Sequence, residues 1–430
     1  MSYKKNIASN LLAQVIRIIL MFLTSILVAR VLGAEGRGYI TFIILIFGLI
    51  ASYGHFGINH ATAYFQKRSN YSQKEIFNSN ISILLIIFSI IASLVFILRI
   101  QSLILTDYSF DLIIIGLSYV LINFIIITIQ EFYVGNERIV EINKFLLIGE
   151  SFIFLTTILL SITEVLSVRN YLILFVVSSL LRMLFFVKGL GINFKFSINA
   201  TLIKQEIKYG FVAYLSALFI FLNYRADQFL IKSMLGIESL GIYSIAVNLA
   251  ELAFLVPMSV TSALTGRLYN INNEIEDKKF IIYSTIKYTF YIAMIVSIIG
   301  MGMTPLIPFI YGQSFSDASN ITFVLFIGII FASIGKVSYA YFITEGRPII
   351  HTIVTAITLL CNIILNIILI PYLGMMGAAL ASTLSYFIYG LLYIIIFVTK
   401  EGFTIKELLV PEKKDLLLLF NVLNVVKKTR

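Results

Sequence analysis

About twelve apolar runs of about 20 residues each, separated by short polar breaks, dominate this chain and match a hydrocarbon core about 30 Å thick. They centre on residues 9–32, 39–65, 79–98, 110–134, 145–163, 170–193, 209–234, 240–266, 280–303, 319–344, 348–370 and 375–399. A soluble fold has nowhere to bury so many, and 59% hydrophobic against 13% charged residues makes the 430-residue chain an integral membrane protein. Alternation at period two would mark a membrane β-barrel, but Ile81–Leu98 and Leu112–Ile129 are continuous. The expected class is therefore an all-α integral membrane protein with about 12 transmembrane helices, several of them long enough to tilt. Trp is absent, which leaves the 24 Tyr to supply an aromatic belt. Cys361 is the only cysteine and sits in an apolar run, so the chain can form no internal disulfide, redox pair or cysteine metal cluster. Lys4 and Lys5 ahead of an apolar run resemble a signal peptide, but that run is too long and is read as the first membrane helix.

Lys and Arg alternate between sparse and dense breaks. One side collects Lys4, Lys5, Lys67, Arg68, Lys74, Arg138, Lys144, Lys188, Lys195, Lys204, Lys208, Arg267, Lys278, Lys279, Arg347 and the basic residues from Lys400 to Arg430. The other has only Arg30, Arg37, Arg99, Arg169 and Lys232. The positive-inside rule makes both termini cytoplasmic in a multi-pass protein of the bacterial cytoplasmic (inner) membrane, which needs an even number of spans. The +10 net charge is thus mainly a topology signal with some attraction to anionic membrane lipids, and nucleic acid is not expected as a partner. The external breaks, the longest from about Arg99 to Asp111, are too short for an extracytoplasmic catalytic domain.

Leu32-Gly33-Ala34-Glu35-Gly36-Arg37-Gly38 follows the first span, and Leu235-Gly236-Ile237-Glu238-Ser239-Leu240-Gly241 follows the seventh. Both read Leu-Gly-x-Glu-x-x-Gly and lie about half a chain apart, which suggests a six-plus-six duplication in parallel orientation, with a pseudo-two-fold axis along the membrane normal. The expected organisation is an N-terminal six-helix lobe at 1–203, a C-terminal six-helix lobe at 204–400 and a cytoplasmic basic tail at 401–430. The apolar run Leu416–Val426 in that tail is too short to span and reads as an interfacial helix.

The segment Asn362-Ile-Ile-Leu-Asn366-Ile-Ile-Leu-Ile-Pro371-Tyr-Leu-Gly374-Met-Met-Gly377-Ala378-Ala379-Leu-Ala381 resembles the polysaccharide-exporter branch of the multidrug/oligosaccharidyl-lipid/polysaccharide superfamily. Arg225-Ala-Asp227 with Leu235-Gly236 and Gly241-Ile-Tyr243, together with the amino-terminal Leu-Gly-Ala-Glu-Gly-Arg-Gly, is similar to it as well. The resemblance covers about residues 1–400 and implies a two-lobe, V-shaped exporter-type fold. It also implies a Wzx-type role, flipping undecaprenyl-diphosphate-linked repeat units for O-antigen, lipopolysaccharide or capsule assembly. On physical grounds Asn362 and Asn366 share a helical face where amides bond across helices, Pro371 and Gly374 end a helix, and Gly377 with Ala381 offers a small-xxx-small contact.

Four cations, Arg17, Arg225, Lys287 and Lys336, lie well inside otherwise apolar spans, where each costs at least about 2.5–3.5 kcal/mol before compensation. In the first span Asn10, Gln14, Arg17 and Thr24 form one polar stripe expected to face a lumen. Arg17 presents a fork suited to a lipid diphosphate, or pairs with Glu251 or a carbonyl. Lys336 and Lys287 lie at comparable depth in the inner half and are candidate companions. Arg225 is an outer step of a cationic relay, or the partner of an acid on another helix; Asp227, two residues on, does not face it on a helix. Arg182, near Lys188 at a helix end, is expected to snorkel outward and is left out of the site.

Ser52, His55 and Asn59 read as one stripe of the second span, with His60 beside it, either bonding sugar hydroxyls or joining helices. They lack the carboxylate or thiolate spacing of a metal site. Glu251, on a face with Ser244 and Asn248, and Asp227 are acids for a coupling H+ or Na+ or for charge balance. With no ATP-binding motif or nucleophile–base constellation, no cofactor and no enzymatic activity are expected. The leading expectation is a flippase for polyprenyl-diphosphate-linked glycan working by alternating access, with other polysaccharide-assembly membrane proteins as possible partners. The alternatives are a lipid II flippase, a cation-coupled multidrug exporter of the same superfamily, and a membrane glycan polymerase or ligase.

Overall fold

The computed structural model describes the backbone of residues 3–270 and 275–410, and the side chains of 13–268 and 278–410. The side chain of Asn10 and the expected interfacial helix Leu416–Val426 lie outside the described residues.

Every regular element described is helical: α1 (Tyr3–Tyr53), α2 (Ile58–Arg68), α3 (Gln73–Ile100), α4 (Phe110–Gly135), α5 (Ile139–Ile162), α6 (Val168–Leu190), α7 (Ala200–Leu235), α8 (Ile237–Glu251), α9 (Leu255–Asn270), α10 (Ile275–Met303), α11 (Ile307–Tyr311), α12 (Asp317–Thr344), α13 (Pro348–Lys400) and α14 (Ile405–Leu409), with single 3₁₀ turns between some of them. By length and hydropathy, 10 continuous helical stretches among the described residues suit a membrane crossing. Two of these, the stretch containing α1 and the stretch formed by α13, are each interrupted by a non-helical glycine, Gly33 and Gly374. Counting the limbs on either side of each glycine separately brings the total to the expected twelve. The protein is a multi-pass helical membrane protein.

The glycines explain the reversals. Gly33 (φ 67°, ψ −172°), Gly236 (φ 93°, ψ −178°) and Gly374 (φ 59°, ψ −139°) each occupy backbone space that is costly for a residue with a Cβ. Each follows a leucine: Leu32, Leu235 and Leu373. At Gly374 the chain doubles back: the Asn362 amide donates to Ser382 Oγ at 3.3 Å, whereas 20 residues of straight helix would separate them by about 30 Å. The returning limb packs so closely that a Cβ on Gly377 would lie 2.3 Å from the Leu369 carbonyl oxygen. The Leu-Gly pair is therefore a local helix-reversal signal, used a third time without the glutamate of the longer motif.

The second span departs from expectation. The helix stops at Tyr53 and resumes at Ile58, with Phe56 (φ 48°) and Gly57 (φ 92°) in left-handed space. Ser52, His55 and Asn59 therefore do not form one helical stripe. Gly57 meets Gly210 of α7 backbone to backbone, and a Cβ on Gly210 would sit 2.1 Å from the Gly57 carbonyl oxygen. The eighth span is interrupted as well, by a 3₁₀ turn at Leu252–Phe254. Pro257 follows, and its missing N–H leaves the Ala253 carbonyl without its helical donor.

The chain divides into two compact units: one runs to Leu218 and includes Ile310–Gly312, and the other holds Phe219–Phe309 and continues from Gln313. The first packs around Ala61, Ile129, Phe132, Tyr133 and Phe186. The second packs around Ile286, Val337, Phe342, Tyr393 and Phe397. In the first unit, residues 191–199, which belong to no helix or strand, run along the start of α3. The Lys195, Ser197 and Asn199 N–H groups donate to Asn78 Oδ1, Ser82 Oγ and Ser79 Oγ at 2.9, 3.0 and 3.0 Å.

Candidate functional site

In the second unit, α7 delivers Asn223, Tyr224, Arg225 and Asp227 over barely more than one turn. Arg225 makes a two-pronged ion pair with Glu251, Nη1–Oε1 2.9 Å and Nη2–Oε2 3.0 Å, each side chain 25% exposed. Glu251 ends α8, where a carboxylate opposes the helix dipole, and the guanidinium offsets that cost. Of the roles open to Glu251, charge balance with Arg225 is the arrangement found.

Asp227, 3% exposed, turns away from Arg225. Its Oδ2 accepts from Tyr243 Oη at 2.6 Å and Ser382 Oγ at 3.0 Å, and its Oδ1 from the Gln228 N–H at 2.7 Å. The network continues from Ser382 to Asn362, and the Asn366 amide donates to Asn362 Oδ1 at 3.1 Å. It joins α7, α8 and both limbs of α13. Asn366 Oδ1 is buried without a partner.

Beside these groups lies a cavity of about 320 Å³, lined among others by Asn223, Lys336, Tyr339, His351, Tyr386 and Tyr389. Lys336 Nζ sits 4.3 Å from the Phe254 ring centre and 4.8 Å from that of Tyr224. Among the described residues the lining contains no carboxylate. Aromatic faces hold a cation while leaving it open to an anion. His351 Nδ1 is bonded to Tyr393 Oη at 2.5 Å, and its ring lies 4.1 Å from that of Tyr339. Neither Arg225 nor Lys287 lines the cavity. Lys287 is fully buried on α10, with Nζ 5.5 Å from the Tyr283 ring centre. Tyr386, Tyr389 and Tyr393 recur at helical spacing on α13, a signal legible in the sequence that charge-centred reading passes over.

The first unit holds Arg17, which interacts electrostatically with Glu150 and Arg182. Its Nε is buried without a hydrogen-bond partner, while Gln14 on the same helix is exposed. Arg182 does not snorkel outward. Its side chain is 12% exposed, 3.8 Å from Glu150 and bonded to Ser179 Oγ at 2.8 Å. Gly149 makes room for its stem, since a Cβ there would lie 2.5 Å from Arg182 Cδ. Arg182 and Glu150 thus belong with Arg17, although sequence position alone put one at a helix end and ignored the other.

His55 Nδ1 accepts from the Gly57 N–H at 3.1 Å within the helix break, and Asn59 Oδ1 accepts from Thr128 Oγ1 at 3.1 Å; both side chains are buried. Among the described residues, no three His, Cys, Asp or Glu lie together in a group that could hold a metal ion.

The profile of a family described as polysaccharide biosynthesis protein matches residues 3–269, and that of the MatE family matches residues 213–368. A capsular polysaccharide biosynthesis protein, CapF of Staphylococcus aureus, is 25% identical over 174 residues, 39% of this chain and 43% of that protein. The chain thus matches less than half the length of this curated relative. Among solved structures, an inward-facing multidrug resistance MATE family transporter of the MOP superfamily superposes with a TM-score of 0.72 at 15% identity, covering 90% of this chain and 94% of the other. The lipid II flippase MurJ in an inward closed conformation gives 0.72 at 17% identity, covering 97% and 92%. At these identities the likeness shows a shared fold.

Proposed function

The chain belongs to the polysaccharide biosynthesis protein family, and from that premise we propose that it is a flippase moving undecaprenyl-diphosphate-linked oligosaccharide repeat units from the inner to the outer leaflet by alternating access, for surface polysaccharide assembly. The observation that carries this reading is Lys336. It is a cation inside an apolar bundle, held by two aromatic rings at a cavity with no acidic lining among the described residues, and so suited to an anionic group such as a diphosphate. Arg17, in surplus over the Glu150 it shares with Arg182, supplies a second cation in the first unit. The tyrosines, Asn223 and His351 around Lys336 offer donors and stacking faces for sugars. With Glu251 engaged by Arg225, Asp227 is the other of these two acids and the one open to a coupling H+ or Na+. Placement in the bacterial cytoplasmic membrane with both termini inside completes the proposal.

Lys336→Ala and Arg17→Ala are each expected to abolish surface glycan export, by at least about tenfold, at unchanged membrane abundance. Full export in both variants sinks the cationic-site reading. The MatE match over residues 213–368 favours a second reading, export of cationic drugs. That reading requires drug efflux by the expressed protein and export unaffected by Lys336→Ala.

A further inference from the structure

The inward stripe of α7 in the first unit is Leu202, Ile203, Glu206, Gly210 and Tyr214, spaced for one helical face and apolar except for Glu206. This stripe docks on α2 and α3. Leu202 enters the first unit's core, Tyr209 stacks on Tyr64 with ring centres 4.4 Å apart, and Gly210 touches Gly57. Glu206, in the polar break ahead of the apolar run 209–234, is 0% exposed at the centre of this seam.

Only Oε1 of Glu206 is bonded, accepting from Asn80 Nδ2 at 3.1 Å, and the same amide reaches Thr62 Oγ1 at 3.0 Å. Glu206 Oε2 and Asn80 Oδ1 are buried without partners. The charged and titratable groups of the surrounding elements are bonded to other partners or lie exposed or half-buried. On α2, His60, Tyr64, Lys67 and Arg68 are exposed, with Lys67 bonded to Asn136 and Arg68 over the Tyr64 ring. On α3, Lys74 is exposed and Glu75 accepts from Asn199. Lys195, and Lys204, Lys208 and Tyr209 on α7, are exposed, His55 lies against Tyr214, and Glu131 of α4 is half-buried. Among the described residues Glu206 has no ion-pair partner, and an ionised carboxylate sealed in this way is strongly disfavoured.

We propose that Glu206 is a proton-binding switch: with a proton on Oε2 it docks the first turns of α7 on α2 and α3, and release of that proton to water undocks them. Oε1 keeps the Asn80 bond in the docked form. Residues 191–199, pinned to α3 just before α7, loosen with it. The inference does not depend on the cargo.

Hydrogen exchange on the full-length protein in nanodiscs, corrected for intrinsic rates, tests this between pH 6 and pH 9. Wild-type peptides covering residues 191–214 are expected to lose at least about tenfold protection as pH rises, while Glu206→Gln keeps the pH 6 protection throughout. Glu206→Asp, which retains an ionisable group, is expected to keep a pH step. A wild-type protein with no step overturns the proposal without any variant. So does a Glu206→Gln protein that follows wild type, or protection that tracks Na+ or K+ at constant pH, which would make the ligand an alkali cation.

Discussion

Each unit buries an arginine–carboxylate contact, and the two are built differently. In the second unit Glu251 closes both oxygens on the Arg225 fork at 2.9 and 3.0 Å, and the unmatched positive charge stands apart on Lys336 at a cavity. In the first unit Glu150 lies 3.8 Å from Arg182 and also attracts Arg17 electrostatically, so one acid faces two guanidiniums. A closed pair is architecture, because its charges are spent on each other. A shared acid leaves residual positive charge where it sits, and a cation facing aromatic rings leaves nearly all of it.

That contrast predicts unequal costs. Removing one partner of a buried pair costs about 3–5 kcal/mol, reduced here to about 2 kcal/mol by partial exposure, so Glu251→Gln should lower the thermal midpoint clearly. Glu150→Gln removes a looser contact of 3.8 Å that is more buried than the Arg225 pair but lacks its two short hydrogen bonds, and with Ser179 still holding Arg182 it should cost less, about 1 kcal/mol. Equal shifts in detergent-solubilised protein would erase the distinction between closed and shared acids.

The hairpin glycines sharpen the picture at the level of backbone. Gly374→Ala should cost about 1–3 kcal/mol because φ 59° with ψ −139° is strained for any residue with a Cβ. Gly302→Ala, inside α10 with open space around the added methyl, should be stabilising by up to about 1 kcal/mol. If both variants melt alike, the reversal at Gly374 does not need its glycine.

A third pair, outside the spans, gives the smallest effect. Glu401 forms an ion pair with Arg347, Nη1–Oε1 2.8 Å, and its Oε2 accepts from Tyr341 Oη at 2.6 Å. Burial alone would push its carboxyl up, but these partners hold it below the ordinary 4.5. A depressed carboxyl contributes stability above its unfolded value and loses it as pH falls through the folded one. Wild type should therefore lose thermal stability on acidification below about pH 4.5 more steeply than Glu401→Gln. Parallel acid limbs would show that this pair contributes nothing.

Span positions were legible in the sequence because each crossing must be apolar along its whole length, and the reversals at Gly33, Gly236 and Gly374 were legible because Leu-Gly interrupts such runs. The break between Tyr53 and Ile58 was not, since Gly57 gains its meaning only when Gly210 arrives from far along the chain. His351, Tyr386 and Tyr389 escaped notice because aromatic residues are ordinary in membrane helices until a cavity sets them around a lysine.

The sequence by itself determined that the chain crosses a membrane many times as helices, where they reverse, and which cations are stranded at depth, because hydropathy and backbone sterics act locally. Only the tertiary structure decided which stranded charge is spent and which is free. It closed Glu251 on Arg225, folded Arg182 back onto Glu150 and left Lys336 between two rings. The physical reason is that a charge is neutralised by what lies within a few ångströms in space, and helix packing sets that distance independently of separation along the chain.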